Sequence, residues 1–114
     1  MQKITLDLIP GIYKTPVCYV SQYDKNRQIE IELTENGDPY ILTGGELLSI
    51  AAETSTGAHI SASVENPGGN RIIFNVSQEF CEDPTETICK LIIKDEPQKI
   101  GAANFVLQIE PAPN

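Results

Sequence analysis

Few side chains in this sequence could do chemistry, and the single histidine is the first to consider. His59 could act as a general base because an imidazole titrates near neutrality, but catalysis also needs a nucleophile and a partner that orients the ring. The chain has no G-x-S-x-G motif, and His59 lies between a turn signal and a strand pattern. The sequence therefore favours a solvated loop histidine, and we expect that this protein is not an enzyme.

Three cysteines, Cys18, Cys81 and Cys89, could join His59 in a zinc site. Structural zinc sites pair their ligands about two to four residues apart, and these residues form no such pairs. The odd number and low density of cysteines also differ from a disulfide scaffold. A Cys81–Cys89 bridge across a loop stays open as an alternative, but we expect buried thiols and no cofactor.

A run of polar side chains at every second position resembles the start of a calcium-binding loop: Asp24, Asn26, Gln28 and Glu30. Such a loop needs glycine at its sixth position, where this chain has Ile29. A β-strand explains the same spacing, since alternate side chains of a strand lie on one face. The sequence therefore predicts a solvated strand face here and no calcium site.

The charge balance narrows the classes of partner. The 114-residue chain carries a formal charge of −8, from 16 acidic and 8 basic residues. Nucleic acids and anionic membranes need clustered Lys and Arg, so neither is expected as a partner. No apolar run approaches the roughly 20 residues of a membrane span, and Asp7 interrupts the apolar N-terminus, which therefore does not read as a secretory signal. We expect synthesis in a cytoplasm and no membrane insertion.

Alternating hydrophobic patterns predict the fold. Residues 28–34 place Ile29, Ile31 and Leu33 on one strand face and polar residues, including Glu30 and Glu32, on the other. Similar patterns, separated by turn signals about every 8 to 12 residues, give seven to nine short strands. The sequence predicts an all-β, immunoglobulin-like antiparallel sandwich that fills residues 1–110 as one domain. Residues 111–114 begin a Pro-rich linker to a downstream region.

Four local features are less regular. Residues 17–20 follow a proline and suit a sheet edge. Residues 47–53 are predicted as a strand, joined by a turn at residues 54–57 to the strand 58–65. Residues 66–70, Asn-Pro-Gly-Gly-Asn, signal a turn, and residues 77–83 suit either one helical turn crossing between sheets or a loop.

The order of these features resembles the N-terminal domain of the phage baseplate upper protein family. In that family a Gln-x-Asp element precedes a strand of the form x-I-x-I-x-L, followed by an Asn-Gly turn, an aromatic-aliphatic step and a Gly. Here Gln22-Tyr23-Asp24 precedes the strand at residues 28–34, and residues 36–44, NGDPYILTG, follow it. The resemblance extends from about Ile4 to Ile109.

The resemblance implies a non-catalytic structural domain of the virion, located in the tail or baseplate. It would attach a baseplate or tail-fibre protein to other phage tail proteins, in several copies, while a downstream region carries or binds the receptor-binding part. The residues that we expect to form the docking surface are Gln22, Tyr23, Asp24, Glu30, Glu32 and Tyr40. The alternative is a carbohydrate-binding or adhesive module of a surface protein, although the chain has no Trp for a sugar platform.

Overall fold

The structure is a computed structural model that describes residues 2–11, 14–23, 27–53, 57, 59–82, 85–95 and 98–111. Strands make up most of the described chain, and residues Gln78–Cys81 form a short 3₁₀ turn. The strands are β1 (Gln2–Asp7), β2 (Val17–Ser21), β3 (Arg27–Glu35), β4 (Asp38–Pro39), β5 (Leu47–Glu53), β6 (His59–Gly68), β7 (Arg71–Val76), β8 (Glu86–Asp95) and β9 (Gln98–Glu110).

These strands form two mixed sheets that pack as a sandwich, and β6 belongs to both. Residues 59–63 of β6 pair with β5, whereas residues 64–68 pair with β7. The first sheet has the order β1-β3-β7-β6, with the short β4 added to β3, and the second has the order β6-β5-β8-β9-β2. The all-β sandwich is therefore confirmed, at the upper end of the expected strand number, whereas the immunoglobulin-like arrangement is not confirmed.

The antiparallel prediction is right for the inner pairs and wrong for both edges. β1 pairs in parallel with β3, and β2 pairs in parallel with β9. Two strands joined by a tight turn must run antiparallel, but neither edge strand is joined to its partner in that way. β1 and β2 both come from the first 21 residues, and each is added to the outside of a sheet built from later parts of the chain.

The core lies between the two sheets and follows the alternation in the sequence. Ile29, Ile31 and Leu33 of β3 are all fully buried, as the period-two pattern predicts. Phe74 of β7 packs edge to face against Phe105 of β9, with ring centroids 6.0 Å apart, and so joins the two sheets directly. Its ring also meets Phe80 of the 3₁₀ turn at 5.3 Å, so this turn closes one end of the core.

Most of the local predictions are confirmed. The strand predicted at residues 47–53 is present as β5, the one predicted at residues 58–65 is present as β6 from His59 onwards, and β2 lies at a sheet edge. Most of the turn predicted at residues 54–57 lies outside the described residues. Of the two alternatives for residues 77–83, the helical turn between sheets is the one observed. The turn predicted at residues 66–70 is shorter than expected, because β6 continues through an irregular register to Gly68 and only Gly69 and Asn70 turn.

The two outer edges of the sandwich meet along a seam. The Gln2 side chain of β1 accepts a hydrogen bond from the Tyr19 N–H of β2 at 2.8 Å and donates one to the Tyr19 carbonyl. At the other end of the seam Leu8 packs over Gly101, where an added Cβ would lie 3.5 Å from the leucine Cδ2. Side chains thus cover the two ends of the seam between edges that would otherwise expose backbone groups there.

The aromatic contact between the sheets gives the first testable prediction. Replacing Phe74 by Ala should lower the free energy of unfolding by about 3–5 kcal/mol, because a fully buried ring that joins both sheets is lost. Chemical denaturation measures this change. The matched control is Ile88→Ala, whose side chain is 65% exposed and whose removal should change stability by about 0.5 kcal/mol or less. Equal losses for the two variants would contradict this description of the core.

Candidate docking surface

The outer face of the first sheet carries a network of charges that pair with one another. Strand register places Lys3 beside Glu30, and Glu32 beside Arg71. The Arg71 guanidinium donates to Glu30 Oε1 from Nε at 3.0 Å and from Nη2 at 2.8 Å. Lys3 Nζ lies 2.8 Å from Glu32 Oε1 and 3.5 Å from Glu30 Oε2.

This network affects the two predicted docking residues differently. The hydrogen bonds from Arg71 lower the pKa of Glu30, and only 15% of its side chain is exposed. Glu32 is more open, with 34% exposed, but its carboxylate faces Lys3. A partner that bound either carboxylate would have to replace an ion pair within the domain by an ion pair with itself. Because surface ion pairs are weak, this exchange would add little free energy of binding.

The β3–β4 hairpin, which leads to Tyr40, is organised by the carboxylate of Asp7. Asn36 and Gly37 both have positive φ, 52° and 87°, as the Asn-Gly pair predicts. The Asp7 carboxylate accepts hydrogen bonds from Ile9 N–H at 2.9 Å, Thr34 Oγ1–H at 2.8 Å, Asn36 N–H at 3.1 Å and Gly37 N–H at 2.9 Å. Burial by itself would raise the pKa of Asp7, but these bonds outweigh it and lower the pKa to about 2.

Gln22 and Tyr23 lie at the opposite end of the sandwich from Tyr40. The Gln22 N–H donates to the Glu110 carbonyl at 2.8 Å, where β9 ends, and the Tyr23 N–H donates to the Cys81 carbonyl at 2.9 Å. Tyr23 has a φ of 67° and a side chain that is 56% exposed. Asp24 lies outside the described residues.

The structure therefore distributes the predicted docking residues over two ends and one face. Tyr40 follows the hairpin at the end where β3 finishes, Gln22 and Tyr23 are at the end where β9 finishes, and Glu30 and Glu32 lie between them on the first sheet. They do not form one continuous patch. Their role in docking stays a prediction.

A different surface stands out on the second sheet, and the sequence prediction did not include it. Ile88 of β8, Val106 of β9 and Val17 of β2 lie directly beside one another across three strands and point outward. We call these residues the apolar row. Ile88 is 65% exposed and Val17 is 41% exposed, and Tyr19, at 56%, adjoins them along β2. A signal in the sequence was that Ile88 and Ile92 make the outward side of their strand partly apolar.

An open concavity of about 780 Å³ borders the apolar row. Its lining includes Ala51, Glu53, His59 and Ser61 beside Ile88, with no aromatic side chain among the described residues that line it. His59 is exposed and lies across from Glu53 in the β5–β6 pair. The predicted solvent exposure of His59 is confirmed, but the loop position is wrong, because His59 is the first residue of β6.

The three cysteines lie in the core as thiols. Burial raises the pKa of Cys18 to about 11 and that of Cys89 to about 12, and the charges of Cys18 and Cys81 contribute to the second shift. Two strands and the 3₁₀ turn thus bring three residues that are distant in the sequence into one core. Within the described residues no group of three His, Cys, Asp or Glu side chains is arranged to hold a metal ion, and the absence of a cofactor stays a prediction.

Comparison with known proteins adds a fold likeness. No protein-family model and no curated protein matches the chain. Among solved structures, the N-terminal domain of phage TP901-1 ORF48 superposes with a TM-score of 0.69 at 12% sequence identity, covering 96% of this chain and 99% of that one. The resemblance in fold to an N-terminal domain of a phage protein is confirmed. In the described part of the chain no helix is long and apolar enough to cross a membrane.

The hydrogen bonds to Asp7 predict an acid-sensitive hairpin. The pKa of Asp7 in the folded protein, about 2, lies below the ordinary aspartate value of 3.8, so the stabilisation is present above about pH 4 and is lost as the pH falls towards 2. Asp7→Asn removes the charge and should lower the melting temperature at pH 6. The difference between wild type and Asp7→Asn should shrink steadily between pH 4 and pH 2, as measured by thermal unfolding. A difference that stays constant over this range would contradict the assignment.

Thiol reactivity tests the burial of the cysteines. A thiol-specific reagent should modify Cys18 and Cys89 in the native protein on the order of a hundred-fold more slowly than in the denatured chain, because burial raises the pKa of each thiol and restricts access. Mass spectrometry of peptides, with and without denaturant, gives the rates. An exposed cysteine introduced by Ser61→Cys is the control, and native reactivity equal to that control would show that the thiols are accessible.

Proposed function

We propose that this chain is a non-enzymatic structural domain of a phage virion that attaches a baseplate or tail-fibre protein to the tail. The observation that carries the proposal is the fold likeness to the N-terminal domain of a phage protein, which extends over nearly the whole of both chains. Fold alone does not determine function, so the choice of surface and partner is argued from the residues themselves.

The contrast between the two outer faces supports docking through the second sheet. On the first sheet, Glu30 and Arg71 already satisfy one another, and Lys3 holds Glu32. On the second, the apolar row leaves large hydrophobic side chains in water. Burying apolar area against a partner gains free energy, and exposed apolar patches mark interaction sites more often than paired surface charges do. The partner is a phage tail or baseplate protein.

The end of β9 gives the domain a direction. Glu110 is held by Gln22, so a region that follows Pro111 starts from the end of the sandwich that carries Tyr23. The apolar row lies on a side face and leaves this end open. The domain can therefore bind the tail through its side while a downstream region projects towards the receptor. We propose that several copies do so in the virion, following the symmetry of the tail.

The test is binding to purified tails of the phage that encodes this chain. Wild-type domain should bind, and Ile88→Asp should weaken binding at least about ten-fold, because a charge is placed in the centre of the apolar row. Glu32→Gln, on the other sheet, is the matched control and should bind as wild type. Both variants should keep the wild-type melting temperature within a few degrees.

Three other outcomes would change the proposal. Loss of binding by Glu32→Gln, but not by Ile88→Asp, would place docking on the first sheet. Binding to a glycan array without binding to tails would support the alternative carbohydrate-binding module. Absence of any binding to tails would refute the attachment role.

A further inference from the structure

The strand β9 is much longer than its edge partner β2, and among the described residues no strand pairs with part of its outer edge. The Val106 N–H donates to the Pro16 carbonyl at 2.9 Å, and the Glu110 carbonyl accepts from the Gln22 N–H at 2.8 Å. Residues two apart in a strand direct their backbone groups to the same side. Ala102 and Asn104 must therefore direct their N–H and C=O groups towards the same edge, beyond the point where β2 begins.

Pro16 explains why β2 does not extend further. If the parallel register continued, the residue at position 16 would donate its N–H to the Asn104 carbonyl, but proline has no N–H. Within the described residues, no hydrogen bond reaches the backbone groups of Ala102 or Asn104 from this side. The proline thus ends the hydrogen bonding between β2 and β9 before it reaches Asn104 and Ala102.

These positions line a cleft in the seam between the two sheets. Its volume is about 320 Å³, and we call it the seam cleft after its lining residues Thr5, Lys14, Pro16, Lys90, Ala102 and Asn104. The Leu8 N–H donates to β3, so the alternation along β1 directs the backbone of Thr5 away from β3 and towards the cleft. Both walls of the cleft therefore offer backbone groups that a strand could use.

The described residues that line the seam cleft include two lysines and one carboxylate, whereas the chain as a whole has twice as many acidic as basic residues. Lys14 and Lys90 both line it, in a chain with 16 acidic and 8 basic residues. Lys90 lies directly across from Asn104 in the β8–β9 pair, next to the unfilled position. Asp7 also lines the cleft and carries a negative charge at neutral pH, but its carboxylate already accepts four hydrogen bonds within the domain. A segment with its own carboxylate side chain would complement the two lysines.

We propose that the seam cleft receives an extended segment of the tail protein to which the domain attaches, that this segment adds as a strand beside Ala102 and Asn104, and that it presents an acidic side chain to Lys14 and Lys90. The inference rests on the proposed function. Val106 of the apolar row follows Asn104 by two residues along β9, so one partner can cover both the seam cleft and the apolar row. Hydrogen bonds between the backbones of β9 and the segment would supply affinity. Lys14 and Lys90 would favour a segment with an acidic side chain.

Hydrogen exchange tests the added strand within a single stretch of β9. In the free domain the amides of Ala102 and Asn104 should exchange at least about ten-fold faster than those of Ala103 and Phe105, whose N–H groups face β8. On binding to purified tails, exchange at Ala102 and Asn104 should slow at least ten-fold, while the two neighbours change little. Slow exchange at Ala102 and Asn104 in the free domain, or no change on binding, would overturn the proposal.

Variants at one position separate the backbone from the side chain. Asn104→Pro removes the N–H that faces the cleft and keeps the pairing with β8, whereas Asn104→Ala keeps that N–H and serves as the control. Asn104→Pro should reduce binding to tails at least ten-fold, and Asn104→Ala should not. The double change Lys14→Glu with Lys90→Glu should also weaken binding, compared with Lys94→Glu, which lies outside the cleft.

The outcomes distinguish this inference from the attachment role. If tails bind all these variants as they bind wild type, and exchange at Ala102 is unchanged, the added strand is wrong and the attachment stands. If tails bind no form of the domain, both fail. Thermal unfolding of each variant comes first, and if Asn104→Pro does not fold, the exchange measurement on the wild type decides alone.

Discussion

One strand holds the two layers of this protein together. β6 pairs with β5 through its first half and with β7 through its second half, so the hydrogen-bonded path runs from one sheet to the other without a break. This continuity requires the strand to turn as it crosses, and its register becomes irregular between Glu65 and Gly68. The inward faces of both sheets then close on one core. The positions of both edge strands, and hence of the seam, depend on that closure.

The two sheets expose different outer faces to water, and the proposed docking surface rests on this difference. On the first sheet, long charged side chains reach across strands and pair, which uses their hydrogen-bonding capacity inside the domain. On the second, Ile88 and Val17 stay in water without compensation. A partner that covered these apolar side chains would remove them from water, and this burial would favour binding. The acidic composition keeps the domain soluble without marking where the partner binds.

The N-terminal segment provides both edges of the sandwich, and each edge is protected in its own way. Gln2 satisfies the backbone of Tyr19 at one end of the seam, and Leu8 covers Gly101 at the other. Between these two contacts Pro16 ends the ladder, and no described residue pairs with Ala102 and Asn104 of β9, which line the seam cleft. Side chains that cover both ends of an edge discourage unspecific strand addition, and the segment that we propose would enter between them.

Period-two alternation by itself determined that the protein is all-β and which side chains are buried. Ile29, Ile31 and Leu33 are all inside, because the two faces of a strand are set by its own sequence. The Asn36-Gly37 turn was equally local, since positive φ is a property of those residues. What only the tertiary structure decided is how distant segments meet: the parallel edges, the cysteines gathered in the core, and the apolar row built from three strands. The predicted docking residues were scattered for the same reason. Alternation specifies the face of a strand, but the neighbour beside that face is chosen by the packing of the whole chain.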